Sequence, residues 1–175
     1  MMKYFWLAIL LLSSLILNGC ETSKKIYMVI SDPGVPVGYP ENEASEVSFS
    51  ILADKDINLN YSGEPTPVDI QLIYLNEESK ILNVDYYQIA TEPLDQLLSK
   101  NYIDHQDYTV EPGQFKILKP FKLDQNTQFI AVIAHYADAD SSVVQWLDLI
   151  KVESTGQKYT LLIHVRSDEV EIKKT

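Results

Sequence analysis

The sequence predicts a mainly β fold, a two-sheet sandwich with a small helical insert, and three observations carry that expectation. Downstream of residue 45, apolar and polar residues alternate in segment after segment, the pattern of strands with one buried and one solvated face. A single window, 83–100, switches to a helical period. Short turn-forming stretches separate the strand-like segments, and many strands joined by short turns default to a sandwich.

The chain opens with Lys3, then an apolar run from Tyr4 to Ile16 broken only by Ser13 and Ser14, and ends this segment with Leu17-Asn18-Gly19-Cys20. A positive residue, a short apolar stretch and a small residue are laid out as a secretory signal peptide, too short and too abruptly ended for a membrane span. Cys20 is the only cysteine of the 175 residues, so it can form no internal disulfide. The Leu17–Cys20 tetrapeptide resembles the lipobox of bacterial lipoproteins, with Asn18 where that family usually has Ala or Ser. The resemblance implies that residues 1–19 are removed and that Cys20 is acylated and becomes the first mature residue. Glu21 follows it, not the Asp that retains lipoproteins in the inner membrane, so the resemblance implies the periplasmic face of the outer membrane. A plain thiol in an uncleaved anchor is the other reading of Cys20.

Residues 20–45 read as a lipidated N-terminus and spacer, rich in turn formers at Pro33, Gly34, Pro36, Gly38 and Pro40, with one short strand candidate at Ile26–Ile30. The sandwich is expected over 46–175. Val47, Phe49, Ile51 and Ala53 should point inward against Ser48, Ser50 and Asp54; Val68, Ile70, Leu72 and Tyr74 repeat this opposite Asp69 and Gln71. Between Asn83 and Lys100 the leucines 94, 97 and 98 stand at helical spacing, with Pro93 in a first turn behind Thr91 as a possible cap and a further turn at Asp85–Ala90. Roughly six strands should follow. Asp107–Val110 and Gln114–Leu118 flank Glu111-Pro112-Gly113, where Pro and Gly suit the central positions of a type II turn. Phe129–Ala134 is apolar throughout, as in a strand covered on both faces. Val143–Ile150 contains Trp146, expected in the core, and Tyr159–Val165 and Val170–Lys173 alternate again.

Composition narrows the chemistry. From Cys20 onward there are 156 residues with 13 cations against 25 carboxylates, a net charge of −12. That size fits one domain with a real core. That charge opposes binding to nucleic acid or an anionic lipid surface. There is no Gly-x-Ser-x-Gly elbow and no phosphate loop. His135 with Asp138 and Asp140 is the sharpest metal candidate, but a polar hairpin tip explains those carboxylates better. His105 and His164 stand alone, and the pairs Glu77/Glu78 and Glu41/Glu43 lie in loop-like segments as solvated charge. No enzyme, cofactor or metal site is expected.

"PTPVDIQLIYL" at 65–75, "NVDYYQIATEPLDQLL" at 83–98, "VEPGQ" at 110–114, "FIAVIAHYAD" at 129–138 and Trp146 follow one another behind the lipobox. In order and spacing they resemble the outer-membrane lipoprotein of the type VI secretion system, the TssJ family, over about Glu46 to Ile172. Val110 stands where the family's turn has Leu, and the spacer has no counterpart. The resemblance implies a transthyretin-like sandwich and a non-enzymatic subunit. It also implies a partner, the periplasmic C-terminal region of the IcmF-like inner-membrane component, contacted through the loop between the first two strands. Here that loop is Lys55–Thr66, and Ile57, Asn58, Leu59, Asn60 and Tyr61 are the candidate partner-binding residues. In one reading Leu59 and Tyr61 protrude, flanked by hydrogen-bonding Asn58 and Asn60. In the other, Ile57 and Leu59 continue the strand and tuck into the sandwich edge. The rival to this function is an envelope lipoprotein whose sandwich binds a carbohydrate or small ligand.

Overall fold

The computed structural model describes residues 43–137 and 144–175. Cys20, the strand candidate Ile26–Ile30, Asp138 and Asp140 lie outside the described residues.

Within the described residues nine strands and two short α-helices, besides 3-10 turns at Ile81–Asn83 and Ser99–Asn101, follow in chain order: β1 Glu46–Ala53, β2 Val68–Leu75, α1 Tyr86–Thr91, α2 Leu94–Leu98, β3 Tyr102–Val110, β4 Phe115–Ile117, β5 Phe121–Lys122, β6 Phe129–His135, β7 Leu147–Lys151, β8 Lys158–Val165 and β9 Val170–Lys174. One sheet has the order β4-β1-β8-β9, with β5 beside the start of β1; the other has the order β3-β2-β6-β7. All pairings are antiparallel except β1 with β8, where Glu46 to Ala53 match Lys158 to Val165 residue for residue.

The alternation read in the sequence builds the core. Val47, Phe49, Ile51, Leu161 and Ile163 of the first sheet meet Ile70, Leu72, Ile130 and Val132 of the second, all buried. Each such side chain contributes about 1.5–3 kcal/mol on burial. A second core lies on the outer face of the second sheet. There Ile73, Leu75, Ala131 and Ile133 are covered by Ile81, Ile89, Leu94 and Leu98 from the helical insert. Strands β2 and β6 are therefore buried on both faces along that half of their length, which is why 129–134 carries no polar residue.

Asp85 caps α1: its side chain accepts from the Gln88 backbone N–H at 2.8 Å, and the Gln88 side chain accepts from the Asp85 N–H. Thr91 does not cap α2, contrary to the expectation. It closes α1 with its hydroxyl on the Tyr87 carbonyl, and Pro93 is the N-cap of α2 without a side-chain cap bond.

Three further expectations shift. Seven strands follow the insert, not six, because the two-residue β5 was not legible. Strand β3 begins at Tyr102, well before Asp107, since an edge strand half-covered on both faces shows no clean alternation. Trp146 precedes β7 instead of lying inside it; its half-buried ring packs edge-on to Tyr86 at 5.4 Å and touches both cores.

The Glu111–Gln114 turn forms as expected, with Gln114 N–H donating to the Glu111 carbonyl at 3.0 Å and Gly113 at φ +74°. It joins β3 of one sheet to β4 of the other, so it is a corner between the layers and not a hairpin.

Candidate functional site

The loop after β1 is a small structure of its own. Ile57 is fully buried and plugs the sandwich edge. Asn58 follows at φ +48°, a left-handed conformation that Asn tolerates better than most residues. Its side chain is spent on the fold: Nδ2 donates to the Pro67 carbonyl at 2.6 Å and Oδ1 accepts from the Ala137 N–H at 2.6 Å. Thr66 Oγ1 donates back to the Asn58 carbonyl at 2.5 Å.

Beyond this clamp the loop becomes a miniature hairpin, with Leu59 bridging Pro65. Asn60 organises its tip. The Asn60 N–H donates to the Glu64 carbonyl and the Gly63 N–H to the Asn60 carbonyl, while Asn60 Oδ1 accepts from the Ser62 and Glu64 N–H groups at 2.8 and 3.0 Å. Gly63, at φ +77°, lets the chain turn back. The tip therefore has a defined shape without a core of its own. It leaves Leu59 45% exposed and Tyr61 fully exposed.

Of the five loop residues singled out in the sequence, the structure presents Leu59 and Tyr61 to solvent and turns Ile57 and Asn58 inward. Ile57 and Asn58 turn inward because an apolar side chain at the end of a strand finds the core, and an Asn in a left-handed turn bonds local backbone. Asn60 is half-buried and serves the turn. Cys20 lies outside the described residues.

The histidines are engaged in the fold. His135 Nε2 lies 3.0 Å from Gln71 Oε1, which can only accept, so Nε2 carries the proton and Nδ1 accepts from the Tyr86 hydroxyl at 3.3 Å. Burial pushes the His135 pKa down, against the opposing pull of Asp69 and Asp107. His105 meets the Tyr102 hydroxyl at 2.6 Å, and His164 meets Asp54 at 2.9 Å. Among the described residues no three His, Cys, Asp or Glu side chains converge to hold a metal ion.

A feature not anticipated from the sequence lies on the outer face of the second sheet, at the strand ends nearest the loop, where β2 begins and β6 finishes. The insert stops short of the strand ends and leaves a groove of about 950 Å³ between the outer face of β2 and β3 and the α1–α2 junction. Its only sequence signal was the pair of outward polar positions Asp69 and Gln71; the rest required knowing where the insert ends.

This two-sheet frame with its insert and tip loop matches a known family. The model of T6SS-SciN, described as type VI secretion lipoprotein, VasD, EvfM, TssJ, matches residues 45–168. The chain belongs to the type VI secretion lipoprotein family. Among solved structures it is similar to the T6SS lipoprotein TssJ1 of Pseudomonas aeruginosa, at 18% identity over 76% of this chain and 98% of that one, with a TM-score of 0.69. It is also similar to Serratia marcescens Lip, a membrane-bound component of the type VI secretion system, at 18% identity over 76% and 99%, TM-score 0.67. A chain in the structure of the T6SS protein TssM C-terminal domain (869-1107) from EAEC matches at 19% identity over 73% and 99%, TM-score 0.60. At these identities the likeness speaks for the fold. No curated protein sequence matches this chain.

Proposed function

We propose that this type VI secretion lipoprotein is held at the periplasmic face of the outer membrane by acyl chains on Cys20. In this reading it links the membrane complex by docking the β1–β2 loop on the periplasmic C-terminal region of the IcmF-like component, TssM. It is a structural subunit and not an enzyme. The observation that carries the reading is the loop tip itself: its backbone is fixed by Asn58 and Asn60, and it presents an aliphatic and an aromatic side chain that nothing in the fold requires. Tyrosine brings large area and a polar end at low entropic cost, as interface hot spots do. The match to a chain in the TssM structure supports the partner. That chain is covered almost completely by a fold of this size, far shorter than the span 869–1107 of the TssM domain, which is consistent with a chain of this fold accompanying TssM there.

Titration calorimetry of the partner's periplasmic domain against wild type and a Leu59→Ala/Tyr61→Ala double variant tests it. Binding should weaken by about 1–4 kcal/mol per hot spot, and the melting temperature should hold. Undiminished binding by the double variant would place the contact elsewhere.

A further inference from the structure

The groove beside the α1–α2 junction is lined by carboxylates. Its floor is the outer face of β2 and β3, carrying Asp69, Gln71, Asp107 and Thr109, and its wall carries Glu92, Pro93 and Asp95. All four carboxylates are on exposed residues, and no Lys or Arg lines the groove among the described residues. Lys116 lies over the ring of Tyr108, a lining residue, without itself lining the groove.

Internal partners leave much of this charge uncompensated. Among the described residues Asp69 accepts one side-chain hydrogen bond, from Thr109 Oγ1 at 2.6 Å, and Asp107 meets only the His105 ring, at 3.6 Å, with its side chain 63% exposed. The field is felt by neighbours. Burial, then Asp104 outside the groove, then Asp95 and Asp107 within it push the Tyr102 hydroxyl pKa up, and Asp69 and Asp107 pull on His135.

Geometry narrows the occupant. The carboxylates do not converge on one point, so a single metal ion finds no cage. They are spread instead along a channel with apolar sides, including Ile89, Ala90 and Leu94. Asp69 pairs across from Thr109 and Gln71 from Asp107, so Asp69 and Asp107 are diagonal neighbours on one face. Such neighbours stand about 7–8 Å apart. Alternate side chains of an extended peptide repeat at nearly the same spacing, about 6.7 Å. Glu92 and Asp95 add charge from the wall.

We propose that this groove docks an extended, lysine- or arginine-bearing segment of a protein partner, with alternate cationic side chains on Asp69 and Asp107 and the intervening apolar ones against the α1–α2 wall. The site is distinct from the loop tip, and its test leaves Leu59 and Tyr61 untouched.

The full chain in neutral dodecyl maltoside micelles would be titrated into a fluorescent peptide of sequence Gly-Lys-Val-Lys-Val-Lys-Gly, capped at both ends, at low ionic strength. Saturable binding, lost when the peptide's lysines become glutamines, is expected. Asp69→Asn/Asp107→Asn should weaken it about tenfold, two partly exposed ion pairs being removed. Glu92→Gln/Asp95→Asn should weaken it too, and that pair disturbs no hydrogen bond of the floor. Glu77→Gln/Glu153→Gln makes the same charge change elsewhere and should leave the affinity within about twofold if the effect is local and not one of net charge. Three results would overturn the proposal: no saturation, equal losses in the groove and control pairs, or spermine competing as well as the peptide.

Discussion

Replacing Asn58 by alanine should cost stability rather than partner affinity, and the size of the cost follows from what the side chain does. Two side-chain hydrogen bonds disappear, one to the Pro67 carbonyl and one from the Ala137 N–H. Each is worth about 0.5–1.5 kcal/mol net. Both bonds are part-buried, so water replaces the lost partner only in part. Alanine must also hold φ near +48°, which costs roughly 1–2 kcal/mol. The expected loss is about 3 kcal/mol, read from urea unfolding by circular dichroism. Asn58→Gly accepts the left-handed backbone and should recover about 1 kcal/mol of it, isolating the conformational part. Retained stability in Asn58→Ala together with lost partner binding would refute the reasoning and return Asn58 to the contact surface.

Leu98→Ala, in the second core, should destabilise by about 2–4 kcal/mol through lost burial and a cavity under the insert, and accelerated hydrogen exchange in α1 and α2 would show where. The His135 pKa lies below its ordinary value of 6.5, so between the two pKa values the unfolded chain binds more protons. Stability from this group is therefore full above pH 6.5 and is lost as the pH falls through the folded pKa. His135→Gln should flatten that slope, and an NMR titration placing the folded pKa at or above 6.5 would contradict it. Cys20→Ala should leave a precursor that no longer fractionates with the outer membrane, and an unlipidated wild-type N-terminus by mass spectrometry would rule out the anchor.

Much of the sandwich was legible because alternation is a direct print of one-sided burial: Val47 to Ala53 and Tyr159 to Val165 face the core as read. Legibility failed where burial is not one-sided or strands are very short. Strand β5 has two residues, and β3 is an edge half-covered on both faces. In the loop, polarity alone gave no means of separating Asn58, consumed by backbone, from a residue free to meet a partner, because both uses suit the same side chain. The exposure of Leu59 and Tyr61 was one of the two readings the sequence allowed. The acidic groove was not readable, since Asp69 and Asp107 are 38 positions apart and meet only through the β2–β3 register.

The parallel pairing of β1 with β8 sets a schedule for folding. Glu46 lies against Lys158, 112 positions further on, with seven more such pairs behind it. Closing so long a loop is slow, and sheets assembled from distant segments fold in milliseconds to seconds. For a chain emerging N-terminus first, one edge of β1 stays unpaired until residue 165 has appeared, while the other edge has only the three-residue β4 and two-residue β5 to shield it. A bare apolar strand held open for that interval is the segment of this protein most prone to pair wrongly, and the segment where a holding chaperone would have most to protect.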